Sequence, residues 1–340
     1  MDCILPSYRL SSEEFDYLWN KCVFVVDTNV LLDLYSYSSE VRKEIIETFE
    51  KVSDRIWIPH QVALEYYDNK ERIKKNQEDN YKFLIDIIID YPEYAEKKIK
   101  GKKGMDEHDS THELKDKLMK KLKDEFSRIK EELMLIVENY PDPKKDLSYI
   151  DECISKLFID KVGKPYSSEK LEEICKDGLL RYSQELPPGF EDKDNPEKKG
   201  IKIYGDLILW FQIIDMAKEK KLPVILVTNE TKKDWWWKPP SSKQIGPRPE
   251  LISEFNRNTK EIFYMYALDK FLMYSNKYLK TSIKKEYIEE VEEHRTEEES
   301  KAQEIEDLRQ SAFSHYLEQQ ENMKKLISPA IADYLMQQEN

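Results

Sequence analysis

CVFVVDTN at residues 22–29 is the stretch on which the fold turns. Its first five residues are apolar and largely β-branched, with no alternating polar positions. Both faces of such a segment need cover, as in a strand near the centre of a parallel sheet. The run stops at Asp27, which sets a carboxylate at the C-terminal tip of the strand. RIWIP at 55–59 reads as a second short strand, ended by Pro59, whose ring supplies no N–H to a ladder. The apolar spacing from Ser38 to Phe49 between them is helical. PVILVTN at 223–229 and IFYMY at 262–266 are two further strands, the first preceded by a helix over Gly205–Lys220 and the second followed by one to about Tyr278. Strands alternating with helices imply βαβ units with right-handed crossovers, hence an α/β fold with helices on both faces of a mainly parallel sheet.

The middle of the chain reads differently. His60–Ile89 contains neither Gly nor Pro and predicts one long helix or two abutting ones. From Tyr91 onward come Lys- and Glu-dense helical stretches, including His112–Glu138, with breaks expected at Pro92, Gly101–Gly104 and Pro141–Pro143. The expected organisation is a discontinuous core at 1–90 and 187–280, a helical insertion at 91–186, and a helical tail at 281–340. Ile305, Leu308, Ala312 and Tyr316 give the tail an amphipathic stripe. A protein partner or a second copy of the chain is expected at the insertion or the tail.

Composition narrows the chemistry. The 340 residues carry 55 Lys and Arg against 68 Asp and Glu, a net charge of −13, so a nucleic acid would not be held by bulk positive charge. With 8 Gly and no GxxxxGK[ST] or GxGxxG, Gly-rich phosphate loops are excluded. Four cysteines without CxxC spacing argue for a reducing compartment. No run approaches about 18 apolar residues and the N-terminus lacks a basic-then-apolar leader, so a cytoplasmic location is expected.

In open parallel sheets ligands bind beyond the carboxyl ends of the strands. Asp27 ends one strand, Glu230 follows another, Asp206 lies in the first turn of the preceding helix, and Glu65 enters from an early turn after RIWIP. Carboxylates gathered in one place raise each other's pKa values, so such a cluster implies cations, and oxygen-only ligands favour Mg²⁺ or Mn²⁺. Such a site activates a water and stabilises the leaving oxygen of a phosphodiester, so two-metal hydrolysis is expected. Asp192 and Asp234 are secondary candidates. Lys232, Lys233 and Arg248 are placed to hold a phosphate backbone. Lys97, Lys98, Lys100, Lys102 and Lys103 form a local basic patch. Trp235, Trp236 and Trp237 cannot all face one way, and packing on the sheet is expected for them before base stacking.

FVVDTNVLLDLY, RIWIPHQVALEYY, PPGFEDKD, YGDLILW, VILVTNETKKDWW and GPRPEL, in that order, resemble the PIN nuclease superfamily, in particular its PIN-like group with long helical insertions. The resemblance covers about 22–90 and 187–280. It implies a three-layer fold with strand order of about 3-2-1-4-5, and a metal-dependent endoribonuclease that leaves a 5′-phosphate and a 3′-hydroxyl, with RNA favoured over DNA. It assigns the family's four acids to Asp27, Glu65, Asp206 and Glu230. The last is usually Asp, and the extra methylene of Glu230 moves its carboxylate outward by about an ångström. Toxin or phage-defence effectors are the biological setting it suggests. Two other readings stand beside it: a non-catalytic PIN-like scaffold, and a haloacid dehalogenase-type phosphatase, whose nucleophile motif Asp27-Thr28-Asn29-Val30 resembles with Asn29 in place of the second acid.

Overall fold

The computed structural model describes residues 10–100, 112–139, 143–237 and 246–301, with scattered residues up to 319. The basic-patch residues Lys102 and Lys103, and Ala312 and Tyr316 of the tail stripe, lie outside the described residues. The chain forms two compact units, 1–283 and 284–340.

The first unit opens with α1 (Ser12–Lys21), whose N-terminus is closed by a reciprocal capping box between Ser11 and Glu14. The chain continues through β1 (Val23–Val26), α2 (Thr28–Asp33), α3 (Ser39–Lys51), β2 (Ile56–Trp57), α4 (His60–Lys100), α5 (His112–Asn139), α6 (Pro143–Phe158), α7 (Ser168–Ser183), α8 (Gly205–Lys220), β3 (Val224–Val227), β4 (Trp236–Trp237), β5 (Gly246–Pro247), α9 (Pro249–Thr259), β6 (Phe263–Tyr266) and α10 (Leu268–Tyr278). β2, β1, β3 and β6 pair in that order, all parallel. β4 and β5 form a separate antiparallel ribbon.

The five-strand order expected from the sequence is met by four strands. Beyond β2 the outer place holds a single parallel bridge between Ile58 and Val162. Ile58 N donates to Lys161 O at 3.0 Å and Gly163 N to Ile58 O at 2.8 Å. The ladder stops there because Pro59 has no N–H to offer. Gly163 lies so flat on the Trp57 indole that a Cβ would collide with the ring.

Register fixes the layers. Phe24, Ile225 and Tyr264 align on one face, Val23, Val224 and Phe263 on the other. On the first face Trp19 of α1 packs edge-on to Phe24 and stacks on Phe271 and Tyr278 of α10. On the second, Trp210 of α8 meets Phe263 edge-on at 4.9 Å and Phe255 of α9. β1 and β3 are buried at every position, as their unbroken apolar text requires. Full burial of each such side chain contributes about 1.5–3 kcal/mol.

α4 is one helix of 41 residues that runs through Pro92, where a break was expected. The proline removes one backbone donor, and propagation along a long helix carries it across. The helical middle also supplies core: Leu147, Ile150 and Ile154 of α6 and Ile174 and Tyr182 of α7 are buried. Tyr35, at the end of α2, donates to Asp151 of α6 at 2.6 Å, and Lys74 of α4 pairs with the other carboxylate oxygen at 2.6 Å. In the second unit the backbone is helical from 285 through 301. Among the described residues no helix is long and apolar enough to cross a membrane.

Candidate active site

The site lies at the C-terminal ends of β1 and β3. Asp27 leaves β1 with extended backbone and serves as the N-cap of α2, its Oδ1 accepting from Thr28 N at 2.6 Å. Its Oδ2 accepts from Thr228 Oγ1 at 2.6 Å and from Asn29 Nδ2 at 3.2 Å. Thr28 also reaches across to α4, where its hydroxyl donates to Glu65 Oε2 at 3.0 Å. Gln61, one turn earlier, donates to Glu65 Oε1 at 2.7 Å. One threonine therefore orients both acids. The start of α4 is set against α8 by Gln61 N donating to the buried Gln212 side chain at 3.0 Å.

Asp206, in the first turn of α8, accepts from Trp235 Nε1 at 3.3 Å and lies 3.5 Å from Lys232 Nζ. The glycine before it gives the neighbouring carboxylate room. A Cβ on Gly205 would stand 2.8 Å from Glu65 Oε1, so a larger residue there would push on the α4 carboxylate.

Beyond Asp206 the partners change character. Lys232 Nζ lies 3.1 Å from Asp192 Oδ1 and 3.1 Å from Glu230 Oε2. Lys198 Nζ meets the other oxygen of Asp192 at 2.5 Å. Asp192 is 1% exposed, so this carboxylate depends on both ammonium groups. Glu230 turns back on its own loop, Oε1 accepting from the backbone N–H groups of Thr231 and Lys232 at 2.8 and 3.1 Å. Asp234, fully buried, braces the loop after α7 by accepting from Gly189 N and Glu191 N at 2.8 and 3.2 Å. Its Oδ1 is buried without a partner among the described residues.

Burial raises the Asp27 carboxyl to about 7, with the charges of Glu65 and Asp206 adding to the rise against its hydrogen bonds. Glu65 is likewise raised, first by burial. Burial also pushes on Asp206, but Lys232 and Lys198 prevail and hold it below the ordinary carboxylate range. Asp234 stands at about 7, through burial and then the charge of Asp206. Burial works against the charge on Lys232, yet Asp206, Glu230 and Asp192 keep its pKa above the usual lysine value.

Thr28 thus ties Asp27 to Glu65, Asp206 acts on both through its charge alone, and Lys232 gathers Asp206, Glu230 and Asp192. Lys233 is exposed and paired with Glu191 at 3.0 Å. Arg248 grips Glu250 through two nitrogens, at 2.7 and 3.1 Å, and lies over the Phe190 ring. Of the tryptophans, Trp235 is buried against Trp210 while Trp236 and Trp237 are half-buried. Sequence reasoning passed over Thr28, Thr228 and Lys198. The two threonines flank strand-end acids in DTN and VTN, a signal that was present; Lys198 sits in a loop of mixed charges that offers none.

Behind these acids Asn229 braces the strand ends. Its backbone N–H donates to Asn29 Oδ1 at 2.9 Å, its side-chain oxygen accepts from Leu268 N at 3.1 Å, and its Nδ2 donates to Asp33 at 2.7 Å.

The donor set of Asp27, Glu65 and Asp206 suits a hard divalent ion, being oxygen-only, with burial raising both Asp27 and Glu65. As arranged, no three His, Cys, Asp or Glu side chains among the described residues are grouped closely enough to enclose one. The fit therefore rests on donor chemistry and charge.

A family profile described as a PIN like domain matches residues 23–251, and the chain belongs to that family, a superfamily generally of metal-dependent nucleases. The match begins at β1 and ends in α9, so it takes in Asp27, Glu65, Asp206 and Glu230 together with the helical middle. No curated protein and no solved structure matches the chain significantly.

Proposed function

We propose that this PIN-like chain is a Mg²⁺- or Mn²⁺-dependent endoribonuclease, cutting phosphodiesters by hydrolysis in the cytoplasm, in a toxin or antiviral-defence setting. The observation that carries the reading is the Thr28 bridge: one residue holds Asp27 and Glu65 together at the end of the central strand, with Asp206 near enough to raise Asp27. Asp27, Glu65 and Asp206 would hold the metal, which when bound lowers the pKa of water and polarises a phosphoryl oxygen. Glu230 and Asp234, from the loop after β3, and Asp192, from the loop after α7, support them. Thr28, Thr228 and Gln61 fix the carboxylates so that the ionised oxygens, rather than their orientation, are what binding must supply.

Lys233 and Arg248, on the rim beside the half-buried Trp236 and Trp237, are placed to meet the polymer backbone. Lys232 contributes positive charge from within the cluster. The insertion suits a protein partner or a second copy of the chain, because Leu118 and Leu135 on α5 are exposed apolar side chains.

The test is cleavage of end-labelled single- and double-stranded RNA and DNA with Mn²⁺, Mg²⁺ or EDTA. RNA cleavage that EDTA and Asp27→Asn both abolish is the expected result. Folded protein that binds Mn²⁺ and cuts no polymer would overturn the nuclease reading; failure to bind Mn²⁺ would favour the scaffold.

A further inference from the structure

The acids of this site are not equally in need of a cation. Asp27 and Glu65 accept only from hydroxyl and amide donors, and among the described residues no lysine or arginine forms an ion pair with either. Asp192, Asp206 and Glu230 come from three separate segments and converge on one ammonium, Lys232 Nζ, at 3.1, 3.5 and 3.1 Å. An ammonium has three donors, and here it faces three carboxylates. The Lys232 side chain is 29% exposed, and a second ammonium, Lys198, closes the remaining oxygen of Asp192.

On the reading of this chain as a metal-dependent nuclease, we infer that Lys232 is a built-in cation occupying the Glu230 side of the site, so that the chain takes one divalent ion, on the Asp27 side, rather than two. A divalent ion entering between Asp206 and Glu230 would have to displace the ammonium. It would leave that ammonium close to two metal charges in a partly desolvated place, with its carboxylate partners withdrawn. The tether favours the lysine as well, since its ammonium is held at high effective concentration by its own backbone, between Glu230 and Asp234. The longer Glu230 side chain belongs to the same arrangement: it reaches both Lys232 Nζ and the backbone N–H of Lys232, closing the loop on itself. Lys232 is therefore a positioning residue that supplies fixed positive charge where a second ion would otherwise sit.

The experiment is titration of the full-length protein with Mn²⁺ by calorimetry, paired with low-temperature electron paramagnetic resonance, which separates isolated Mn²⁺ from spin-coupled pairs. Wild type and Lys232→Arg are expected to bind one ion per chain with an uncoupled spectrum. Lys232→Met is expected to bind two with a coupled spectrum, and Asp27→Asn to lose the first. Two ions in wild type, or one in a folded Lys232→Met, overturns the inference while leaving the nuclease reading intact. If Lys232→Met does not fold by circular dichroism, Lys232→Gln takes its place, and the wild-type count still decides. No Mn²⁺ bound by wild type removes the metal-nuclease reading and this inference with it, a result distinct from either count.

Discussion

The two halves of the acid cluster are held by different chemistry. Asp27 and Glu65 are oriented by Thr28, Asn29, Gln61 and Thr228, all neutral donors. Asp192, Asp206 and Glu230 are gathered around Lys232, with Lys198 behind. A neutral hydrogen bond aims a carboxylate without discharging it, whereas an ammonium does both. Asp27 and Asp206 show the difference: burial carries Asp27 up to about 7, while Asp206, also pressed by burial, is held low by its lysines. One half has no ammonium within ion-pair distance among the described residues, and the other has two.

The sharpest way to break this contrast is Asp27→Asn. RNA cleavage should fall by about 10³-fold or more, the several kcal/mol expected when a metal ligand is lost. The metal-free variant should also melt above wild type at pH 8, because the fold no longer carries a disfavoured charge. An active variant, or one that melts lower, would contradict the assignment.

Next comes Thr28→Val, which keeps the backbone N–H to Asp27 but removes the hydroxyl to Glu65. Mn²⁺ affinity measured by calorimetry should drop about 10- to 100-fold, the usual effect of an outer hydrogen-bond partner. An unchanged affinity would mean that the shared threonine does not align the acids.

On the compensated side the effect should appear in stability. Lys198→Met leaves the buried Asp192 with one ammonium instead of two. Urea denaturation should report a loss of about 1–3 kcal/mol, and no loss would show Lys232 to be sufficient alone.

The smallest expected effect is a slope with pH. In the folded chain Asp27 and Asp234 keep a proton up to about pH 7, while the unfolded carboxyls release theirs near 4. Between about pH 4 and 7 the unfolded state then binds fewer protons, so the melting midpoint of the metal-free protein should fall as pH rises and level off above 7. Asp234→Asn should flatten part of that fall. An equal slope in the variant would dissociate Asp234 from it.

The readable parts of the chain were those where burial is uniform. VFVV and VILV announce buried strands because nothing polar interrupts them, and Asp27 and Asp206 stand out as acids where those runs end or a helix begins. The α8 helix follows its periodic text from Gly205 to Lys220. Reading faltered where one backbone atom decides. Pro59 and Gly163 reduce an expected strand to a bridge, and Pro92 is absorbed inside α4. Pairing was harder still. That Lys232 answers Asp192, Asp206 and Glu230, while Asp27 finds only hydroxyls and amides, depends on how two loops fold across the sheet end, and periodicity carries no record of that.

Asn229 has a consequence for motion. Because a single side chain fastens the first turn of α10 to the far end of α2, and its own amide is fastened to Asn29, three elements at the strand ends are tied through one residue. The Leu268 amide should be among the last in the chain to exchange with deuterium, opening only when the whole unit unfolds. On the nuclease reading, whatever yields to an entering polymer would then belong to the rim loops rather than to these tied strand ends.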